Sequence, residues 1–410
     1  MKKLLIIGLH WPEPSTTAAG TRMMQLIRLF LENNYQITFA CSIPKTSYSY
    51  DLSSLGIKTE QIELNSASFD CFITNLKPHI VLFDQFITEE QFGWRVAENS
   101  PNAVRILDTE DLHFLRFARE QAFKLNEKLN LINDITKREI ASIYRSDLSL
   151  IISKTEMELL KKEFKIDAKL LHYIPFLQSK ISIKTLKKFP AFKERQHFIT
   201  MGNFKHKPNY ESVIYLKKEI WSKIRKKLPK IELHVYGAYA NQKIKQLHNP
   251  KEGFIIKGWT NNKEEAYTNS RVCLAPLLFG AGLKGKLIDT MIYGTPNVTT
   301  TIGAESMTRN LKWNGFIENN PENFALKSVE LYTCEEKWLQ FQLNGKEIIN
   351  NCFNKIKFGE DLQEKINITS ENIKEHRAQN FVGQLLQYHT LKSTQYLSKY
   401  IEEKTKNYNI

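Results

Sequence analysis

The sequence predicts an α/β protein made of two consecutive doubly wound units, each a mostly parallel sheet covered by helices on both faces. Three observations carry this expectation. Short apolar runs alternate with amphipathic segments along most of the chain, the rhythm of successive βαβ units. The alternation stops across residues 178–196, a basic stretch with few large apolar side chains, and then restarts. A chain of 410 residues is also too long for one ordinary core, so two domains are the default.

Residues 4–9 (LLIIGL) read as the first buried strand. Two lysines before them imitate a secretion signal, but no small-residue cleavage site follows His10 and Trp11, so a cytoplasmic protein is expected. Residues 21–33 read as a helix with Met24, Ile27, Leu29 and Leu31 on its apolar side, and 37–41 as a strand. A short helix over 69–76 feeds a strongly apolar strand over 80–86. A strand at 104–108, a long helical stretch over 112–144, a strand at 148–152 and a helix over 154–164 complete the first unit. In the second, a strand at 198–201 precedes a helix over 208–228, with Pro208 suited to a first helical turn. Strands follow at 231–237, 254–258 and 272–276, then a helix over 286–293 closed by Gly294 before Pro296, and a strand at 298–301. Beyond Ser306 the pattern is mainly helical, with one or two long helices over 371–404.

Composition excludes several classes. Hydrophobic content of 42% and charged content of 25% are ordinary for a globular protein, and no apolar run has the length to span a bilayer. The five cysteines are far apart and lack metal-ligand spacing, so each reads as a small buried hydrophobe. The net charge of +14 suits nucleic acid, an anionic membrane surface or phosphorylated substrates, and equally suits solvated lysine-rich helix faces. No nucleic-acid-binding motif accompanies it, so nucleic acid ranks last.

Ligands of doubly wound sheets sit beyond the carboxyl ends of the strands, and the densest chemistry lies at such ends. In residues 274–291 (LAPLLFGAGLKGKLIDTM) a strand gives way to a loop with Gly280, Gly282 and Gly285, and then to a helix. Glycines let backbone N–H groups approach a phosphate, and the new helix presents its positive end. Lys284 and Lys286 add charge, and Asp289, one turn in, suits ribose hydroxyls. A plain strand-to-helix turn with solvated lysines fits the same residues.

The segment GAGLKGKLIDTMIYGTPNVTTTIGAESM resembles the donor-binding segment of family 4 (group 1) glycosyltransferases. GNFKHKPNYESVIYLKKEIWSKIRKKLPKIELHVYGA resembles the opening of the same domain, and ISKTEMELLKKEF the end of the N-terminal one. The tail EHRAQNFVGQLLQYHTLKSTQYLSKYIEEK is similar to tails in a bacterial branch. The resemblance implies a GT-B fold, two Rossmann-like domains facing a central cleft, with an acceptor-side domain over 1–177 and a donor domain over 178–384. It implies that the last helix, about 385–410, packs back on the first domain. It also implies a retaining transfer from a nucleotide-diphosphate sugar without a required metal or other cofactor. Of the family's two donor-site glutamates, the second position holds Asp289 and the first holds Ala281.

The resemblance assigns further donor contacts to Gly20 and Arg22 after the first strand, to Lys205 after the first strand of the second domain, and to Glu305 in GAES. Arg22 also fits a surface arginine in a first helical turn. Asp108, Asp111 and His113, at a strand end where family members place a group near the anomeric carbon, are the candidate catalytic residues. Asp108 fits a helix cap as well. Arg116 and Arg119 follow, within reach of an anionic acceptor. Expected partners are a nucleotide-sugar donor, a glycan, lipid-linked or protein acceptor, and the inner face of an anionic membrane. A catalytically silent sugar-nucleotide binding protein and a nucleotide-sugar epimerase are the rival readings.

Overall fold

The computed structural model describes residues 2–388 together with 396–398, 400, 401 and 404. Two all-parallel sheets carry it. The first contains β1 (Lys3–Gly8), β2 (Gln36–Cys41), β3 (Lys58–Gln61), β4 (Ile80–Asp84), β5 (Val104–Asp108), β6 (Leu148–Ile151) and β7 (Leu171–Tyr173), in the order β3-β2-β1-β4-β5-β6-β7. The second contains β8 (Gln196–Met201), β9 (Leu233–Tyr236), β10 (Phe254–Gly258), β11 (Ser270–Ala275), β12 (Asn297–Thr299) and β13 (Gly315–Ile317), ordered β10-β9-β8-β11-β12-β13. In each sheet the order reverses beside the first strand, between β1 and β4 and between β8 and β11. A crevice opens at such a reversal because consecutive connections leave toward opposite faces.

Strands β1, β4, β5 and β6 read as continuous apolar runs because helices cover both of their faces. Leu4, Ile6, Leu82 and Ile106 join one buried cluster, and Leu5, Ile7, Val81 and Leu107 join the other. The short edge strands β3, β7 and β13 give no such run and are additions to the sequence expectation.

Several helices differ from expectation for local reasons. The stretch over 112–144 is two helices, His113–Leu125 and Asp134–Arg145. Asn126 ends the first in a left-handed conformation (φ 54°), and Asn133 with Thr136 forms a capping box that starts the second. The strand expected over 80–86 stops at Asp84, where Gln85 at φ 67° turns the chain into an unexpected helix, Gln85–Asn99. The helix expected over 208–228 is interrupted by a π-helical turn, Leu216–Ile220. The connector over 178–196 is less bare than it reads, since Ile181, Leu186 and Phe192 are buried.

After the second sheet the chain returns to the first. Helix Lys355–Glu371 seats Phe358, Leu362 and Ile366 in the cluster under β1 and β5; each such buried side chain contributes roughly 1.5–3 kcal/mol. Arg377 then donates to both carboxylate oxygens of Asp147, at 2.8 and 2.7 Å. Of the long helices expected over 371–404, the part up to residue 388 forms shorter pieces, Ile373–Ala378 and Phe381–Gln387. Most of the expected final helix, 385–410, lies outside the described residues. Among the described residues no helix is long and apolar enough to cross a membrane.

Candidate active site

The two sheets point their carboxyl ends at a shared cavity of about 630 Å³. Its second-domain wall is the loop after β11. Gly282 is at φ 62°, and its amide donates to Glu156 Oε1 at 2.7 Å. A Cβ there would lie 2.7 Å from the Cβ of Asp111 in the first domain. Only glycine fits both the left-handed backbone and that approach. The loop delivers the chain into helix Gly285–Ile292, whose capping position, Lys284, makes no side-chain cap bond. The Gly285 and Lys286 amides have no hydrogen-bond partner among the described residues, the Leu287 amide donates to the Lys284 carbonyl at 2.8 Å, and no acidic side chain occupies the first turn.

Two lysines stand at this helix end. Lys284 Nζ folds onto the carbonyls of Ala281 and Gly282 at 2.8 Å each. The Lys286 side chain makes no hydrogen bond or ion pair among the described residues. Burial lowers both ammonium groups, Lys286 to about 8. The arrangement places positive charge and unpaired amides on one wall of the cavity, the electrostatics of a phosphate site. Asp289, also on the cavity, is pushed up by burial, with Lys263 Nζ 3.9 Å away opposing the shift.

The first-domain wall is the loop after β1 and the opening of helix Ala18–Glu32, capped by Thr17 Oγ1, which accepts from Gly20 N at 2.8 Å. Gly20 lines the cavity, and a Cβ on it would lie 2.5 Å from the backbone of Glu13. Asp111 and His113 line the cavity as well. Burial works against the Asp111 carboxylate, but Arg116 and His113 outweigh it and hold Asp111 down at about 2. Burial lowers the His113 imidazole to about 4, so it is neutral at pH 7. Lys205, exposed at the cavity, holds its ammonium 3.8 Å from the Tyr239 ring centroid.

Three expected site residues lie elsewhere. Arg22 does not reach the cavity: it is 1% exposed, and its guanidinium is spent on Asp108 (2.8–3.1 Å) and on the Ile174 carbonyl. Asp108, 0% exposed, is therefore a buried counter-ion beneath the floor, with no surface for a substrate. Glu305 meets Arg119, which donates to both its carboxylate oxygens and to Gly280 O, all at 2.8 Å. That ties the glycine loop to the first domain. Asp111 and Glu305 are thus the partners of the two arginines expected to face an acceptor.

The structure adds residues that sequence reasoning missed. Glu13 accepts from Tyr239 across the cleft at 2.8 Å, and from Thr16 and Thr46. Lys263 reaches the Pro14 carbonyl at 3.0 Å. Glu110, at φ 63°, and Asp84 both line the cavity, each with one buried carboxyl oxygen unpartnered among the described residues. Burial and the Asp108 charge push both carboxyls up. Glu13 and Lys263 belong to no local motif, Glu110 lies within the strand-end cluster 108–113 without having been singled out, and the apolar run into Asp84 disguised it as strand interior.

One group among the described residues has metal-ligand spacing, His197, Glu232 and His234. It sits at the amino ends of β8 and β9, away from the cleft. Its His197 Nδ1 already accepts the Glu232 N–H at 3.1 Å, which leaves the proton on the other ring nitrogen.

Residues 195–334 match the family model described as Glycosyl transferases group 1. No curated protein sequence matches the chain. Among solved structures the chain is similar to a sucrose-phosphate synthase from Thermosynechococcus elongatus, at 13% identity and a TM-score of 0.67, over 89% of this chain and 98% of that one. It is similar to a mutant of TarM from S. aureus in complex with fondaparinux, alpha-GlcNAc-glycerol and UDP (11%, TM-score 0.66, 90% and 100% covered). A third likeness is to HepE from Anabaena in complex with UDP-glucose (10%, TM-score 0.64, 90% and 100% covered). The fold is GT-B, two α/β domains across a cleft. The matched domain supports a transferase of the glycosyl class.

Proposed function

We propose that this chain transfers a sugar from a nucleotide-diphosphate donor to an acceptor hydroxyl, with retention and without a metal. The observation that carries the reading is the helix end at Gly285, where unpaired amides, Lys284 and Lys286 converge on the cavity. Diphosphate oxygens would satisfy the amides and stabilise the charged form of both lysines. The departing nucleotide would leave as a diphosphate whose developing charge these groups already face, which is the work a metal does elsewhere.

The group 1 match over the second domain supports the reading, as does likeness to proteins solved with UDP and UDP-glucose. Asp289 and Lys263 are the residues offered to the nucleoside ribose, and Lys205 to the diphosphate. Retention and metal independence rest on the family resemblance. So does an acceptor in surface glycan or lipopolysaccharide synthesis, with the basic surface suited to an anionic membrane face.

The test is release of nucleoside diphosphate from UDP-, GDP-, ADP- and dTDP-sugars, with and without lipid-linked and soluble glycan acceptors, in excess EDTA. Acceptor-dependent release with an unchanged anomeric configuration by NMR is expected. Acceptor-independent isomerisation, or loss of turnover in EDTA, would contradict the reading.

A further inference from the structure

Glu110 stands out from the other cleft residues in three independent ways. Its backbone is at φ 63°, a left-handed conformation that strains a residue carrying a side chain. It lines the cavity, as does the adjacent Asp111, which packs against Gly282 of the donor loop. Its Oε1 is buried and makes no hydrogen bond among the described residues. Strain and an unsatisfied buried acceptor both oppose folding, so neither is explained by stability.

The surroundings decide what such a carboxyl can do. Asp84 from the end of β4, Asp108 from the end of β5 and Asp111 in its own loop place negative charge around it. Arg22 opposes them, but its guanidinium is bonded to Asp108. Burial and these neighbouring carboxylates push the Glu110 pKa up, and a carboxyl in its acid form both donates and accepts a hydrogen bond. A sugar hydroxyl does the same. The phosphate-type helix end at Gly285 lines the same cavity, so a glycosyl group attached to a diphosphate bound there would share that cavity with Glu110.

We propose that Glu110 is a specificity-determining residue whose carboxyl hydrogen-bonds a hydroxyl of the transferred sugar. Ala281, which lines the same cavity from the donor loop, offers no polar side chain. The inference rests on the donor reading above and goes beyond it by naming the group that reads the sugar.

The test compares Glu110→Gly and Glu110→Gln with the wild-type chain. Glycine suits the positive φ and removes the unsatisfied carboxyl, so the unliganded Glu110→Gly variant is expected to melt at a higher temperature than wild type. Binding is then measured by calorimetry for UDP-glucose, GDP-mannose, ADP-glucose and dTDP-glucose, and for each bare nucleoside diphosphate. For the sugar nucleotide that wild type binds, Glu110→Gly weakens affinity about tenfold, the loss of one buried hydrogen bond. Affinity for the corresponding diphosphate stays within about twofold of wild type. Glu110→Gln, which can still donate and accept, retains sugar-nucleotide affinity within about threefold.

Equal weakening of diphosphate and sugar nucleotide in Glu110→Gly, or no weakening of either, overturns the proposal. So does a lowered melting temperature, which would mark a structural role. Failure of wild type to bind any of these ligands overturns the donor reading itself, a result distinct from failure at Glu110.

Discussion

Two kinds of buried charge meet in this cleft, and they predict opposite behaviour. Arg22 and Asp108 compensate each other completely. Removing one partner leaves the other as an uncompensated interior charge, at a cost of about 3–5 kcal/mol. Asp108→Asn, followed by denaturant unfolding, is therefore expected to lose stability in that range while the folded fraction binds donor normally. Unchanged stability with lost turnover would return Asp108 to a chemical role.

Lys284 and Lys286 are instead poised for an outside anion. Burial lowers Lys286 to about 8, and a bound diphosphate would raise it again. Below that value the ammonium is already present and pH matters little. Above it, binding must take up a proton, so donor affinity falls as pH rises past about 8. Calorimetry between pH 7 and pH 9.5 checks this, with affinity falling by up to roughly tenfold per pH unit for one linked proton. Affinity that rises over this interval would contradict the assignment.

At the scale of the element, the loop from Gly280 to Gly285 matters most. Gly282→Ala would force a Cβ onto a left-handed backbone 2.7 Å from the Asp111 Cβ. The loop would then back away from the first domain, taking the helix end with it. Donor affinity is expected to fall at least tenfold with little change in global melting, whereas an unchanged affinity would show that the loop need not approach Asp111.

Which elements were legible follows the same physics. Strands buried on both faces announce themselves as apolar runs, so β1, β4, β5 and β11 stand out. Edge strands β3, β7 and β13 carry no such run. The split in the 112–144 helix was written in polar residues, Asn126 and Asn133, whose cap roles depend on backbone conformation as much as identity. The glycine–lysine loop was legible because one local segment carries its chemistry. Glu13, Asp84, Glu110 and Lys263 were not, because they converge from β1, β4, β5 and the stretch after β10 only once both sheets are placed. Arg22 looked like a phosphate ligand from its position, and only the fold reveals Asp108 beneath it.

At the scale of the whole molecule, the cleft is held by contacts between the two walls: Arg119 to Glu305 and Gly280, Tyr239 to Glu13, Lys263 to the Pro14 carbonyl, and Ser306 to Ser153 and Thr155. A ligand on the glycine–lysine loop would sit inside this closed arrangement and stabilise both domains together. At one hundred times its dissociation constant, such a ligand adds about 2.7 kcal/mol to the folded state. The most direct measurement is the melting temperature of wild type and of a Lys284→Ala/Lys286→Ala double variant, with and without the four nucleotide sugars. At least one nucleotide sugar should raise the melting temperature of wild type by several degrees and leave the double variant unmoved. Equal stabilisation of both proteins, or none of wild type, would contradict the assignment of this loop as the donor site.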